Sequence, residues 1–505
     1  MSTPEDPMAG TPPFGVGTPA GRRARARRHA ASRPARGRWA ALVTVVVVVV
    51  GAAVVDAAHP VSSAPPAVGS SDGVPVAAAG SYSSSAFCAG GTGTAAGTTV
   101  YLANTTTKVV SGVMTVVGPV GGGGVGPTTH RAVSVPALGT AAVNPAAGLP
   151  AGSNASVLSF AGGGVAVSQV VSGPGGWSTA PCASQVSPQW AFAGGSTAAG
   201  NLLTLSLLNP TAVESVVNVS FLTEAGVVDP QAYQGLIVPP GQLVTENVGD
   251  FVQDANQIAT VVTAQSGALV STEFEQWSPG GTGGLSLRLG SPTLSTTWQF
   301  AQTTAMPGST VDFTLANPGN APATTTLTFG LSSGSVEPLH TVVPPRSVAV
   351  VAASSTPGLP HQVPFAVTVD AGEPIVVGRS VLAPDGSGAP VWGSSAGTVT
   401  ATGHWVVAGP GVRGAPGAPG ATMQSLAVAD PGTSTVRVSL TRLGQRHPFS
   451  TFAVVPGGLS VLGADQVGGL ATFLVSSSGP VSVEADAAPT GAPGVVSSTG
   501  FPRPG

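Results

Sequence analysis

Charge is what this chain of 505 residues most lacks, with only 8% Asp, Glu, Lys and Arg, against roughly 25% in an average soluble domain. Lysine occurs once, at Lys108. Helices favour Glu, Lys and Leu, so this composition disfavours a soluble helical enzyme. Low charge, 42% hydrophobic residues and a net charge of −3 are also the opposite of a disordered composition. In abundance are glycine (71) and proline (47), nearly a quarter of the chain and just under the level of low-complexity disorder. An all-β extracellular type of protein, rich in Gly, Val, Thr and Ser, is what remains.

The charges are unevenly placed. Eight of the 18 basic residues are arginines between Arg22 and Arg38, so residues 1–38, with Glu5 and Asp6, carry +6 and the rest −9. Next comes an uncharged run from Trp39 to Val55 containing six consecutive valines, Val45 to Val50. About 17 apolar residues sit at the short end of the membrane-spanning range, and in hydrocarbon the backbone satisfies itself only as a helix. Arginine on one flank sets the N-terminus inside and the bulk outside. We therefore expect a basic cytoplasmic tail at 1–38, a transmembrane helix at 39–58 and a disordered linker at 59–85, where Ala, Ser, Pro and Gly show no periodicity. A cleavable signal peptide is the rival, with small residues around Asp56, but its apolar core would exceed the usual ~7–15 residues. Twin arginines at Arg27 and Arg28 lack the apolar motif of a Tat signal. A basic strip with no folded module behind it is a topology signal rather than a nucleic-acid site.

Internal repetition sets the expected fold. Phe87, Trp190, Trp298 and Trp405 open similar segments at steps of 103, 108 and 107 residues. Each is followed by an alternating run ending in Asn or Asp: Asn104, Asn209-Pro210, Asn317-Pro318 and Asp430-Pro431. An Asx-Pro pair terminates a strand, since Pro restricts its predecessor and the Asx side chain bonds its own turn. A second landmark is Val-Pro at Val135, Val238, Val343 and Val455. The third is two alternating runs around Gly163, Gly267, Gly372 and Gly479, which we read as hairpins. Between the first two landmarks lie period-two strands such as Val217, Val219 and Phe221, whose sheets bury one face and wet the other. The expected fold class is all-β, with four tandem immunoglobulin-like β-sandwich repeats at 86–186, 187–295, 296–402 and 403–505 after one N-terminal transmembrane helix. A propeller repeats every ~40–50 residues, about half this period.

The order and spacing of these landmarks resemble an actinobacterial family catalogued as domain of unknown function 5719. The resemblance runs over about residues 86–500 and implies a membrane-anchored, secreted protein of β-rich repeats. It brings no catalytic residues. The fourth unit departs most, with its Asp430-Pro431 and a Gly-rich insertion before it.

Cys88 and Cys182, the only cysteines, stand at the two ends of the first unit. Outside the cytoplasm such a pair reads as a disulfide, and neither CxxC spacing nor a partnered His suggests metal or catalysis. Six tryptophans flank the unit junctions: Trp177/Trp190, Trp277/Trp298 and Trp392/Trp405. Three readings stand: packing inside each sandwich, packing between units, or stacking on sugar rings.

Chemistry is thin. GxSxG occurs at Gly69–Gly73 and Gly393–Gly397, close to the chance expectation and without the strand–turn–helix context of a nucleophile elbow. His130, His340, His361, His404 and His447 are scattered without metal-ligand spacing. Glu273 and Glu275 share a strand face, which we read as solvated rather than as a glycosidase pair. Glu246, Asp250 and Asp254 lack the dense ligand spacing of a calcium loop. No catalytic residue, metal site or cofactor is expected. The expectation is a non-enzymatic, single-pass extracytoplasmic envelope protein, a rod of four sandwiches that scaffolds or binds wall glycan or a membrane partner and no nucleic acid. A polysaccharide- or peptide-acting hydrolase is the alternative. A sensor is the third option, but its 38-residue inner tail is too short for a signalling domain.

Overall fold

The computed structural model describes residues 74–90, 97–119, 126–147, 153–173, 175–278, 283–384, 390–408, 421–467, 469, 471–489 and 496–504. The basic tail, the valine-rich segment at 39–58, the linker up to residue 73 and the first GxSxG match lie outside the described residues. Among the described residues no helix is long and apolar enough to cross a membrane. Their one α-helix, α1 (Ala464–Val467), is a single turn.

The first repeat contains β1 (Ser84–Cys88), β2 (Gly97–Asn104), β3 (Val110–Val117), β4 (Thr128–Val135), β5 (Thr140–Val143), β6 (Ala155–Phe160), β7 (Val165–Gly173) and β8 (Gly176–Pro181). They form two sheets, β1-β6-β3-β4 and β5-β2-β7-β8. The second repeat contains β9 (Gln189–Gly195), β10 (Leu202–Asn209), β11 (Ser215–Thr223), β12 (Gly226–Val228), β13 (Gln234–Val238), β14 (Gln242–Asn247), β15 (Ile258–Ser266), β16 (Val270–Trp277) and β17 (Gly283–Leu289). Its sheets run β9-β15-β11, with β12 and β13 both against β11, and β14-β10-β16-β17.

The third repeat keeps this order with β18 (Ser295–Thr304), β19 (Thr310–Asn317), β20 (Ala323–Gly330), β21 (Leu339–Val343), β22 (Ser347–Ala352), β23 (Pro364–Pro384) and β24 (Pro390–Ala396). So does the fourth, with β25 (Thr402–Val407), β26 (Ala421–Ala429), β27 (Val436–Arg442), β28 (Ser450–Val454), β29 (Leu459–Gly463), β30 (Phe473–Pro489), β31 (Val496–Thr499) and β32 (Phe501–Pro502).

The period-two pattern does what it predicts. Val217, Val219 and Phe221 are buried and Asn218 and Ser220 only half-buried, and Val436, Val438 and Leu440 face the fourth core in the same way. Each repeat has an apolar centre, and the centres run on into their neighbours, as where Val117, Val406 and Phe501 join the cluster around Trp190. Trp190, Leu205 and Phe221 centre the second, Trp298, Phe313 and Phe365 the third, and Trp405, Val438 and Phe473 the fourth. Leu102, Met114 and Leu158 centre the first, beside Cys88 and Cys182, which form a disulfide of S–S 2.03 Å.

The landmarks hold these sandwiches together. Asn209 Nδ2 donates to the carbonyls of Val213 (2.7 Å) and Val238 (2.9 Å), tying the first landmark to the second. Its Oδ1 accepts the Thr211 amide at 3.0 Å, closing the Asx turn. Asn104 and Asn317 make the same set of bonds. The opening tryptophan is fixed equally regularly: the indole N–H donates to the carbonyl of Leu269 from Trp190, of Ile375 from Trp298 and of Val481 from Trp405, at 2.8–3.0 Å.

Three expectations are corrected. The paired runs around Gly163, Gly267, Gly372 and Gly479 are not hairpins. β6 and β7, like β15 and β16, lie in opposite sheets, and β23 and β30 are single long strands that pass from one sheet to the other. Two alternating runs share a buried face across such a bend, so the sequence pattern is the same as a hairpin's. Second, the end of the supposed linker is part of the body: Val74 and Val76 are buried, and the Val76 amide donates to the Pro502 carbonyl at 2.8 Å. Third, that bond joins the beginning of the first repeat to the end of the fourth, so the repeats do not form an open rod.

The joining is done at the strand that follows the long crossover in each repeat. β8, β17, β24 and β31 begin at residues 176, 283, 390 and 496. β8 touches β17, β17 pairs with β24, β24 touches β31 and β31 touches β8. β17 and β24 run parallel, as neighbours related by rotation about a common axis must. Four strands meeting this closely leave no room for large side chains. A Cβ on Gly284 would lie 2.7 Å from the Trp392 carbonyl oxygen and 2.9 Å from its Cβ.

Candidate functional site

The four converging strands leave a partly open cavity of about 60 Å³, its wall more apolar than polar, with the hydroxyls of Thr179, Ser394, Ser395, Ser497 and Thr499 and the Arg288 side chain among its lining. Ser394 and Ser395 are the two serines of the second GxSxG match. They lie in a strand, not at a strand-to-helix elbow, and both accept from arginine: Ser394 Oγ from Arg288 Nη1 at 2.8 Å and Ser395 Oγ from Arg379 Nη2 at 2.9 Å.

Two buried charge clusters flank the cavity. In the first, Arg288 Nη2 lies 2.9 Å from Glu273 Oε2 and 3.4 Å from Glu275 Oε2, while Nη1 donates to the Ala193 carbonyl. All three side chains are at most 3% exposed. This overturns the reading of Glu273 and Glu275 as a solvated face. The opposite sheet of the same repeat, through Ala193 and Ser196, covers this face, and Ser394 of the third repeat closes over Arg288. Burial pushes both carboxyls up, against the pull of Arg288; Glu275, repelled by Glu273 as well, reaches about 8.

The second cluster spans the third and fourth repeats. Arg379 of β23 pairs with Glu484 of β30 and also donates to Thr303 Oγ1 at 2.7 Å. The Gln302 amide donates to Glu484 Oε2 at 3.1 Å, and Gln302 Nε2 donates to Asp486 Oδ2 at 2.7 Å and to Ser425 Oγ. Ser497 Oγ donates to Asp486 Oδ1 at 2.5 Å. Burial, then repulsion from Glu484, pushes the Asp486 carboxyl up to about 6.

Three of these residues occupy one structural position. Gln169, Glu273 and Arg379 face Val100, Leu205 and Phe313, on the core side of the strands that end in Asn104, Asn209 and Asn317. Glu484 faces Ala427 and lies between Val483 and Ala485 of the fourth core, so it points to the other side of its strand, toward Arg379 of the third repeat. All four are at most 2% exposed. The signal that could have found the first three is a charged or amide residue recurring at steps of 104 and 106 in a chain with so few charges.

The other candidates stay apart. His130 and His340 each share a bond with a neighbouring threonine, and His404 with Ser476. Among the described residues no three His, Cys, Asp or Glu side chains group as metal ligands. Burial raises the Glu246 carboxyl, and the nearby Tyr233 hydroxyl, which donates to the Asn247 carbonyl, acts the other way. Asp250 accepts from Asn247 Nδ2 at 2.6 Å, and Asp254 is exposed. The tryptophans divide between two of the three readings. Trp190, Trp298 and Trp405 lie inside their own sandwiches, whereas Trp277 and Trp392 stack on each other across the second and third repeats, with centroids 6.0 Å apart and planes at 16°. Trp177 is buried against Ala487 of the fourth repeat.

Fold and site define an all-β repeat protein with a disulfide, closed about a polar axis. Residues 161–391 match the model of a family described as "Family of unknown function (DUF5719)", which supports the family resemblance of the repeats. No curated protein matches the chain. Among solved structures, a Thermotoga maritima protein titled "Thermotoga maritima 1070" is 17% identical over 20% of this chain and 92% of its own, with a TM-score of 0.19. A tetra-tandem repeat from the extending region of a large adhesion protein is 15% identical over 79% of this chain and 92% of its own, with a TM-score of 0.12. Scores this low define no common fold.

Proposed function

We propose that this is a non-enzymatic envelope protein, held by its N-terminal segment as a single-pass anchor and presenting a closed body of four repeats outside the cytoplasm. There it scaffolds or binds wall glycan or a membrane partner. We read each repeat as immunoglobulin-like. Strands β1, β6 and β3 take the order B-E-D, and β2, β7 and β8 the order C-F-G, with β4 and β5 added at the two outer edges.

One observation carries the non-enzymatic part of the reading. The charged groups at the seams are tied to partners within the protein: Arg288, Arg379, Glu484 and Asp486 each bond a carboxylate, hydroxyl or amide of their own or the adjacent repeat. A catalytic carboxylate works next to substrate, with its proton free to move. These groups instead join neighbouring repeats. The arginine-rich flank and the uncharged run at 39–55 support the location.

The test uses the full-length chain in its own cells. Protease added to intact spheroplasts should digest the C-terminal body, and crosslinking in the same cells should retain wall material or one membrane protein on it. Protection of the body, or retention no greater than for an anchored sandwich of unrelated sequence, would refute the proposal.

A further inference from the structure

The two charge clusters share an arithmetic that the scaffold reading does not use. Each sets one guanidinium against two carboxyl groups: Arg288 against Glu273 and Glu275, all at most 3% exposed by side chain, and Arg379 against Glu484, both 2% exposed, with the half-buried Asp486 beside them. One arginine balances one carboxylate. The second carboxylate, if ionised, leaves a net negative charge out of water, which costs several kcal/mol unless it is neutralised. We propose that the two clusters are proton-operated locks, in which Glu275 and Asp486 take up a proton when their seams close, so that acidification tightens the closed body and alkalinity loosens it.

The surroundings of both groups support this. Glu275 faces Glu273 on its own strand, Arg288 on the adjacent strand and a hydrogen bond from the Ser196 backbone. Arg288 reaches across the seam to Ser394, so a charge change on Glu275 is felt by the contact between second and third repeats. Asp486 faces Glu484 on its own strand, Arg379 from β23, Gln302 from β18, Ser425 from β26 and Ser497 from β31. Gln302 and Arg379 belong to the third repeat and the rest to the fourth, so ionisation of Asp486 loads the seam between them. The two locks act in different ranges, because Asp486 is held near 6 and Glu275 near 8.

The sign follows from linkage. A carboxyl raised on folding contributes stability that is whole below its unfolded value, roughly 4, and is lost as pH rises through its folded value. One extra bound proton changes the opening constant up to about tenfold per pH unit. Hydrogen exchange of the intact chain, corrected for intrinsic rates, reads each seam separately. Protection of residues 283–289 and 390–396 should fall as pH rises from 6 to 8, and that of 473–489 and 496–499 from 4.5 to 6. Glu275→Gln should flatten the first profile and leave the second, and Asp486→Asn the reverse. Unchanged profiles in both variants would overturn the proposal. Should a variant fail to fold, calorimetry of wild-type unfolding in buffers of different ionisation enthalpy reads the proton directly, and absence of proton release at pH 6 would overturn it equally.

Discussion

The fourth repeat carries an aspartate where the other three carry asparagine, and replacing it should stabilise the protein. In the second repeat Asn209 Nδ2 supplies two hydrogen bonds, to Val213 and Val238. Asp430 keeps the Asx turn, with Oδ1 accepting the Gly432 amide at 2.8 Å, but its Oδ2 is buried without a partner. A carboxylate has no proton to give to the carbonyls that the amide serves elsewhere. Relieving one buried unsatisfied group is worth about 1–3 kcal/mol, and each new neutral bond about 0.5–1.5. Asp430→Asn should therefore gain about 1–3 kcal/mol in the fourth repeat, read as slower exchange of the amides in β26 and β27 and a later urea midpoint. Burial raises the Asp430 carboxyl, and its bond from Gly432 acts the other way. As a neutral acid Asp430 keeps an O–H to donate, so its deficit is smallest at low pH and grows as pH rises through its folded value. The gain from asparagine should widen in the same direction. The mirror change, Asn209→Asp, should destabilise the second repeat with the opposite pH trend. An Asp430→Asn protein no more stable than wild type at pH 8 would refute the reasoning.

Removing the Cys88–Cys182 link by a double serine substitution opens a loop of 94 residues and should cost the first repeat about 4–5 kcal/mol on the chain-entropy estimate, visible as a lower melting temperature that reducing agent no longer changes. Trp190→Phe deletes the donor to the buried Leu269 carbonyl and leaves a small void, for a loss of about 2–4 kcal/mol in urea unfolding. Gly284→Ala drives a methyl into the Trp392 backbone and should cost about 1–3 kcal/mol, with a reduced near-ultraviolet signal from the Trp277–Trp392 stack. Gly283→Ala, whose Cβ would meet nothing closer than 3.5 Å, should leave that signal intact.

Much of each sandwich was legible because its determinants are local. Alternation at Val217, Val219 and Phe221 depends only on strand geometry, and the Asn-Pro and Val-Pro landmarks mark the residues that Asn209 and Asn317 join. The bend in β23 was not legible, since an alternating run through Gly372 has the same pattern whether the chain folds back in one sheet or crosses to the other. The axis was hidden for a different reason. Whether Glu273 and Glu275 are wet depends on which face of their sheet points inward, and they share the inner face with Leu205 and Leu203, held there by Arg288, the Ala193 carbonyl and Ser394, all distant in the sequence or on other strands. A single strand carries no trace of that. Strands compared at one register do, because Gln169, Glu273 and Arg379 are polar and unlike one another where the rest of the repeat is alike.

That unlikeness bears on how four similar modules find their order. Buried ion pairs add little net stability, since desolvation offsets most of their attraction, and apolar replacements often do as well. Their stronger effect is on alternatives. The seam between first and second repeats is closed by Val171, Ala180, Phe274 and Leu287, with a bond from the Leu287 amide to Ser178 Oγ. The next uses Arg288 and Ser394, the third Arg379 and Glu484, and the closing one Trp177, Tyr101 and Ala487 with the Val76–Pro502 bond. Arg288 meets its carboxylates within its own repeat and adds only the Ser394 contact across its seam. Arg379 meets Glu484 only across the third seam, and a buried charge without its partner is penalised by about 3–5 kcal/mol. Apolar seams alone would accept many pairings of such similar sandwiches. The Arg379–Glu484 pair makes the third and fourth repeats specific neighbours, which accounts for ionisable groups being kept at so dry a seam in a chain that carries so few.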